Sequence, residues 1–380
     1  MRKVFQFVVL AIILFSFYNC EKNTNRFYYD STYKKEIAKV REEASLFMIM
    51  NNIPGASFAI AKKGKLIYSE AMGIASKDLE VQASRKTKFR IGATTEIFTS
   101  LIYQMMVEEG KIHPDSSIQF YLPDYPMPDF NDTARLITIE HLVNHTSGIR
   151  EPSFTEKSWR GLNVNMEQSL DDFKNDHLDF IPGAYNSPSE FNYRILGVIM
   201  EKISGRNYSQ LLKSYITDSL QLSNTEVDNP FRTIIGRTDF YDLNLVAQVV
   251  NATFIDMRPR SSSEGILSNA EDLVKFGNTL LYSDKISTDI KDRIFTPMET
   301  SGENPASIAN GWIVQQSKYG DPYYGKLGSV KGGGSIILIL PKEELVLAGT
   351  VNLTSDNEIP IFRLLQAFLP DQTESREKQE

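Results

Sequence analysis

Residues 89–100 read Phe-Arg-Ile-Gly-Ala-Thr-Thr-Glu-Ile-Phe-Thr-Ser, and they lead into a helical pattern that runs over residues 94–109. Gly110 follows that pattern directly, and glycine is common just after the last residue of a helix. A second helical pattern, with an apolar residue at every fourth position, covers residues 191–203 and ends before Gly205. The sequence therefore predicts two well-defined helices in the first and second halves of the chain.

Two β-hairpins are predicted outside these helices, one near each end of the chain. Residues 57–61 and 66–69 form the first pair of apolar runs, and residues 335–340 and 345–351 form the second. The economical arrangement is an α+β fold with one antiparallel sheet built from both chain ends and flanked by helices. A mostly helical region, at about residues 100–250, would be inserted between them. A cleft where the sheet meets this region is a usual place for a ligand.

Composition excludes several functional classes. The 380 residues carry a net charge of −7 and no basic stripe, which disfavours nucleic acid as a partner. The four histidines show no metal-binding spacing such as H-E-x-x-H, and a single cysteine cannot form an intrachain disulfide. We therefore expect no metal site and no cofactor.

The first twenty residues have the layout of a secretory signal. Arg2 and Lys3 precede an almost entirely apolar stretch over residues 4–17, which is too short for a membrane-spanning helix. Cys20 ends this stretch in the sequence Phe-Tyr-Asn-Cys, which resembles a bacterial lipobox although Phe17 and Asn19 depart from its usual pattern. The sequence thus predicts an exported lipoprotein of the bacterial envelope, periplasmic or on the outer membrane, acylated at Cys20.

The remaining boundaries follow from composition. Residues 1–19 are predicted to be a signal peptide, residues 20–36 a polar lipidated tether, and residues 370–380 a polar, charged tail. No long linker or repeat interrupts residues 37–369, which argues for one compact domain.

Six ordered segments of this domain resemble class C β-lactamases and the related DD-peptidases and esterases, which share the penicillin-recognising β-lactamase/transpeptidase-like fold. Residues 141–148 resemble the family segment LLxHTSG, for example, and residues 264–268 resemble GGLxST. The full set is residues 53–57 with 63–65, 89–92, 141–148, 182–183 with 195–197, 264–268 and 324–328. This resemblance implies a serine hydrolase fold over about residues 37–368.

Three motifs carry the chemistry of that family. The serine of S-x-x-K attacks an acyl carbonyl, and the lysine one turn along helps to remove its proton, because a hydroxyl is a weak nucleophile without activation. The tyrosine of Y-x-N serves in proton transfer, and K-T-G or H-x-G on a strand orients the substrate. Backbone N–H groups beside the serine and on that strand form the oxyanion hole.

The resemblance places the nucleophile motif at residues 93–96, where it has lost both functional groups. Ala93 stands at the serine position and Glu96 at the lysine position, and matching residues on both sides set this register. A methyl group cannot attack a carbonyl. Thr94 and Thr95 are each displaced by about 100° around the helix, so neither is expected to replace the serine.

The other two motifs are also altered. Pro188 stands at the tyrosine position and Glu190 at the asparagine position; a register shift could instead bring Tyr185 or Asn192 nearby, although two flanking anchors argue against it. The third motif keeps its cation and its glycine. The residues that make up this half-kept motif are Lys326, Leu327 and Gly328, followed by Ser329.

The altered cleft has two interpretations. In the first, Glu96, Glu190, Lys326, Gly328 and Ser329 bind a ligand without cleaving it, such as a small acyl compound or a cationic or zwitterionic cell-wall peptide. In the second, Glu96 and Lys326 form an internal ion pair that fills the cleft.

The favoured function is a non-catalytic binding or scaffold protein with an unknown protein partner. The alternatives are an active esterase, peptidase or β-lactamase-like hydrolase that uses other residues, and a purely structural envelope role.

Overall fold

The computed structural model describes residues 25–157, 165–302, 305–317, 320–354 and 359–369. The predicted signal peptide, the acylation site at Cys20 and the predicted polar tail lie outside the described residues. Within the described residues, none of the helices combines the length and the apolar character needed to cross a bilayer.

The described residues form sixteen β-strands. Ten of them are two or three residues long, and the long strands come from the two ends of the described chain. In chain order they are β1 Phe27–Tyr29, β2 Gly55–Lys62, β3 Lys65–Ser76, β4 Val81–Gln82, β5 Phe89–Arg90, β6 Asp129–Phe130, β7 Thr133–Ala134, β8 Glu226–Val227, β9 Tyr241–Leu243, β10 Val249–Asn251, β11 Ile266–Ser268, β12 Ile308–Ala309, β13 Trp312–Gln316, β14 Pro322–Val330, β15 Gly333–Leu340 and β16 Leu345–Val351.

The main sheet is antiparallel and is assembled from both ends of the chain, as the sequence predicts. Its strand order is β1-β3-β2-β16-β15-β14-β13-β12, with β4 paired to β3. The two predicted hairpins are β2–β3 and β15–β16, and they meet where β16 pairs with β2 from Leu345↔Lys62 to Val351↔Ala56. The α+β prediction is confirmed.

The helices lie mainly between the two halves of the sheet. They are α1 Lys34–Met50, α2 Thr95–Glu108, α3 Ile118–Tyr121, α4 Ile139–Val143, α5 Phe154–Lys157, α6 Glu190–Ser204, α7 Tyr208–Leu211, α8 Asp218–Leu220, α9 Ala270–Tyr282, α10 Thr288–Ile294 and α11 Ile361–Leu365, with a π-helical turn at Leu212–Thr217 between α7 and α8. Short 3₁₀ turns lie at Ser31–Tyr33, Gly92–Thr94, Glu167–Asp172, Arg258–Arg260 and Gln366–Phe368.

The predicted helical region is real but shorter than expected. It ends at Leu220 rather than near residue 250, because β8, β9 and β10 occupy the last part of that interval. These strands are two or three residues long and carry too little periodicity to be distinguished from loops in the sequence. The predicted end of α6 is confirmed, since Gly205 caps it in the left-handed conformation at φ 66°.

Two apolar cores cover the two faces of the main sheet. On one face, α2 and α6 of the helical region pack with α9 and with side chains such as Ala59 and Ile337 of the strands. On the other face, α1 and α11 pack against side chains such as Phe58 and Leu347. Because side chains of a strand alternate between faces, Lys326 of β14 faces α2, whereas its neighbour Leu327 packs against the second core. This alternation positions the site described next.

Candidate functional site

The turn that precedes α2 lies directly against strand β14. A Cβ atom on Gly92 would come within 2.8 Å of the backbone nitrogen of Ser329, and one on Gly328 would come within 1.9 Å of the carbonyl oxygen of Ile91. Gly92 also has a φ of 53°, which disfavours most other residues. Only glycine fits at these two positions, so the turn and the strand that would form a backbone oxyanion hole are still adjacent.

Residues 93–95 provide no exposed side-chain oxygen that could act as a nucleophile. Ala93 carries none, and the side chains of Thr94 and Thr95 are fully buried. The Thr94 hydroxyl lies 2.8 Å from the hydroxyl of Ser335, and the Thr95 hydroxyl accepts a 3.2 Å hydrogen bond from the backbone N–H of Ile266. Both hydroxyls are therefore held by neighbouring strands, as the helical rotation argument predicts.

Glu96, at the former lysine position, is the centre of a buried ionic cluster. Its carboxylate oxygen Oε2 accepts a short hydrogen bond from the ammonium group of Lys326. The same oxygen lies 3.2 Å from Nε2 of His145. The side chains of Glu96 and His145 are 3% and 1% exposed, and that of Lys326 is 10% exposed. The carboxylate of Glu96 is therefore balanced by the ammonium of Lys326 and the imidazole of His145 in a site that is shielded from water.

The hydrogen bonds around His145 determine which ring nitrogen carries the proton. Nδ1 lies 3.2 Å from the backbone N–H of Ser189 and 3.2 Å from the amide nitrogen of Asn192. The amide oxygen of Asn192 in turn accepts a 2.6 Å hydrogen bond from Ser147. Because Nδ1 accepts from these donors, the proton lies on Nε2 and is donated to Glu96.

The cluster holds Glu96 in its ionised form. Burial raises the pKa of this carboxyl, but the charge of Lys326, the electrostatic interaction with the imidazole of His145 and the hydrogen bonds from both residues lower it by more, so the net pKa lies below the ordinary 4.5. Lys326 is consequently committed to an internal carboxylate. The sequence allows either a ligand-binding cleft or an internal ion pair between Glu96 and Lys326. The structure contains the contact that the ion pair requires.

The second altered motif lies in a different environment. Pro188 is exposed, and Glu190 is the first residue of α6. Glu190 contacts Arg194 at 3.4 Å and Lys157 at 3.8 Å. Within the described part of the chain, no hydrogen bond or ion pair joins Glu190 to Glu96 or Lys326, so Glu190 has a separate set of ionic partners.

Glu190 also differs from Glu96 in its protonation. Burial raises the pKa of Glu190 to about 8, and the nearby carboxylate of Glu264 adds to that effect, while Arg194, Arg260 and Lys157 only partly oppose it. The altered Y-x-N position therefore carries a carboxyl group that is largely protonated at neutral pH.

Sequence reasoning found the altered positions but missed two of their partners. The sequence gives His145 no assigned contact, and the signal that could have marked it is its place in the segment resembling LLxHTSG. Glu264, which is 3% exposed and bonded to Arg260 at 2.6 Å, replaces the first glycine of the segment resembling GGLxST. The alternative residues for the second motif, Tyr185 and Asn192, have other contacts. Tyr185 stacks on Phe180 with ring centroids 4.1 Å apart, and Asn192 is buried beside His145.

Comparison with known proteins identifies the family. The model of the beta-lactamase family matches residues 40–369, which is most of the chain. The chain belongs to the beta-lactamase family. This confirms the family resemblance and the β-lactamase/transpeptidase-like fold drawn from the six sequence segments.

Curated relatives of the family are distant in sequence. Human mitochondrial serine beta-lactamase-like protein LACTB is 25% identical over 379 residues, which cover 76% of this chain and 69% of the relative. Protein Flp of Staphylococcus aureus strain MW2 is 26% identical over 309 residues, which cover 80% of this chain but only 61% of Flp.

Solved structures confirm the fold. The octameric penicillin-binding protein homologue of Pyrococcus abyssi superposes with a TM-score of 0.74 at 22% identity, covering 87% of this chain and 76% of the other. A class C beta-lactamase superposes with the same TM-score at 17% identity, covering 91% of this chain and 100% of the other. Both superpositions show that the chain has the fold of these proteins.

Proposed function

We propose that this member of the beta-lactamase family is a non-catalytic binding or scaffold protein, held at the bacterial envelope by a lipid on Cys20. The observation that carries the proposal is the buried contact of Glu96 with Lys326 and His145 beside Ala93. The contact occupies the place where the family keeps a lysine to activate its serine, and the serine itself is absent.

Electrostatics supports the loss of acyl-transfer chemistry. A general base for a hydroxyl must be close to that hydroxyl and free to accept its proton. Glu96 is close to the turn, but its pKa is lowered by the cation that it binds, which makes it a weak base. Pro188 cannot move a proton, and the Thr94 and Thr95 hydroxyls are bonded elsewhere.

The ligand that this cleft could bind is narrowed by the same contacts. A cationic ligand was motivated by charge inversion at two motifs, but Glu96 is neutralised by Lys326, and the raised pKa of Glu190 removes most of its charge at neutral pH. The remaining recognition surface is the strand segment Gly328–Ser329 beside the Gly92 turn. We therefore favour a neutral acyl or peptide carbonyl as the bound group, in a small acyl ligand or a cell-wall peptide.

Covalent labelling tests the lack of catalysis. The full chain is incubated with a fluorescent penicillin and with a fluorophosphonate probe, then denatured before detection. No label should survive denaturation, because no described hydroxyl of the cleft is both free and activated. A label that survives in the unaltered chain would show an active hydrolase that uses other residues, and would overturn the proposal.

Calorimetric titration tests the binding half of the proposal. Acyl-D-alanyl peptides of the cell-wall type should give measurable heat with the unaltered chain and less heat with Ser329→Pro, which removes a backbone donor beside the Gly92 turn. The control is Leu327→Val on the same strand, because its side chain packs in the second core, away from α2, and the change keeps every backbone donor. An absence of heat across the peptide panel would rule out a cell-wall peptide and leave the scaffold role.

A further inference from the structure

The hairpin formed by β9 and β10 has an apolar tip that projects from the fold. Leu245 is fully exposed and Val246 is 72% exposed. No charged residue occurs in residues 243–255, although 23% of the chain is charged. Tips of this kind usually carry Gly, Asn or Asp, whose backbone preferences suit a turn. Here Ala247 adopts a left-handed φ of 56°, so an apolar residue is kept at a position where it is conformationally unfavourable.

Four backbone N–H groups of the tip have acceptors within the tip. The N–H groups of Val246 and Gln248 donate to the side-chain oxygen of Asn244, at 3.1 Å and 2.9 Å. The N–H of Ala247 donates to the carbonyl of Asn244, and the N–H of Asn244 donates to the carbonyl of Gln248. These internal bonds reduce the cost of moving the tip from water into a less polar phase.

The base of this hairpin packs on the end of strand β3, next to other exposed apolar side chains. The hydroxyl of Tyr241 accepts a 2.6 Å hydrogen bond from the backbone N–H of Lys77, and Asn251 donates to Asp78 at 3.3 Å. The residue after Asp78, Leu79, is 76% exposed. The side chains that we group as the apolar end of the molecule are Leu79, Ile235, Leu245 and Val246.

The described chain begins near the same end of the sheet. The carbonyl of Asn25 accepts a hydrogen bond from the N–H of Arg85, and the carbonyl of Arg26 accepts one from Ala71 of β3. Lys86, beside Arg85, approaches Gly236, the neighbour of the 86% exposed Ile235. Asn25 is thus connected through short contacts to the apolar end.

Chain length relates this geometry to a lipid surface. Five residue steps separate Cys20 from Asn25 and can span at most about 18 Å. If Cys20 carries the lipid of the proposed function, on which this inference rests, the end of the sheet that contains Asn25 lies close to the bilayer.

We propose that the apolar end, with the Leu245–Val246 tip foremost, inserts into the lipid surface to which Cys20 is anchored. A lipid attached at one residue leaves the domain free to turn about its tether, so a second apolar contact strengthens the attachment and also fixes the orientation of the domain.

Tryptophan quenching tests the insertion in the intact, acylated chain. Leu245→Trp is bound to vesicles of phosphatidylethanolamine and phosphatidylglycerol with brominated acyl chains, and the emission of the unsubstituted chain is subtracted. Phe120→Trp, in α3 of the helical region, is the matched control because Phe120 is also exposed, at 66%. Leu245→Trp should lose emission and shift to the blue, and Phe120→Trp should not.

A binding measurement gives the magnitude. Leu245→Asn combined with Val246→Asn should weaken vesicle partitioning roughly tenfold, while Phe120→Asn should leave it unchanged. An attached chain in which Leu245→Trp is no more quenched than the control would overturn the insertion and leave the lipid anchor standing. Full attachment of Cys20→Ser would instead overturn the anchor, and the quenching of Leu245→Trp would still decide the insertion.

Discussion

Glu96 and Glu190 are two buried carboxyl groups at altered motif positions, and they differ in charge state. The pKa of Glu96 is lowered although burial raises it, because Lys326 and His145 contact the same carboxylate oxygen. The pKa of Glu190 is raised to about 8, because burial and Glu264 outweigh cations that lie 3.4 Å and 3.8 Å away. Burial is common to both, so the geometry of the partner decides the outcome.

This difference follows from the partners of the two carboxyl groups. The charge of Glu96 is compensated by a short contact with Lys326 of β14. The contacts of Glu190 with Arg194 and Lys157 are longer, at 3.4 Å and 3.8 Å. Glu96 therefore forms a buried ion pair, and the protonation of Glu190 changes near neutral pH.

Breaking the Glu96 cluster should have the largest effect. Lys326→Met should lower the free energy of unfolding by about 3–5 kcal/mol at pH 7, because it leaves a buried carboxylate without its cation. Chemical denaturation followed by circular dichroism measures this. The control is Glu96→Gln combined with Lys326→Met, which removes both charges and should recover most of the loss.

The pH dependence of this effect has a definite sign. Because the folded-state pKa of Glu96 lies below the ordinary 4.5, its contribution is present above that pH and is lost as the pH falls through the folded-state value. The difference between the wild type and Lys326→Met should therefore decrease in acid. A difference that is small at neutral pH would show that the pair is not a stabilising contact.

Removing the charge at Glu190 should have the opposite effect on stability. A raised folded-state pKa means that the contribution of Glu190 is present below about pH 4.5 and is lost as the pH rises through about 8. Glu190→Gln should therefore match the wild type near pH 4 and exceed it by about 1–3 kcal/mol above pH 8. Unfolding curves of both proteins across this range measure the difference, and a constant offset at all pH values would contradict the raised pKa.

His145→Asn should have a smaller effect, which depends on the cluster. Asparagine tolerates the left-handed φ of 54° at this position, so the backbone is not strained by the change. The loss of the bond to Glu96, with Ser189 and Asn192 left without their acceptor, should cost about 1–3 kcal/mol. In the Lys326→Met background the cost should differ, because both changes act on one carboxylate; strict additivity would show that His145 acts independently.

Local patterns in the sequence were sufficient for much of the fold. The two hairpins and the helices α2 and α6 follow from periodicity and from Gly110 and Gly205, because these signals depend on neighbouring residues. The family resemblance and its fold could also be predicted, since six segments occur in the family's order along the chain. The short strands β8 to β10 could not, because their two or three residues have no measurable period.

The partners of the altered residues depend on contacts that are distant in sequence. Glu96 and Lys326 are 230 residues apart, and the sequence allowed both their pairing and a shared ligand site. Nothing local places His145 against Glu96, or Glu264 near Glu190. The charge state of Glu190 in particular depends on Arg194, Arg260 and Lys157, which come from three separate elements.

Ala93→Ser should have the smallest effect and is the most direct test of the comparison. The new hydroxyl would lie beside Glu96, but this carboxylate is a weak base because Lys326 and His145 already bind it, and Pro188 provides no proton-transfer group. Hydrolysis of a chromogenic cephalosporin and of an acyl ester should therefore stay at the background rate, with stability changed by less than about 0.5 kcal/mol. Combining Ala93→Ser with Glu96→Lys, Pro188→Tyr and Glu190→Asn restores the missing groups of the first two motifs next to a turn and strand that are still adjacent, and that variant should gain covalent labelling by penicillin. If Ala93→Ser alone gained strong activity, Glu96 would be a competent base. Glu96 could then no longer be distinguished from Glu190 as a carboxylate held by its ion pair.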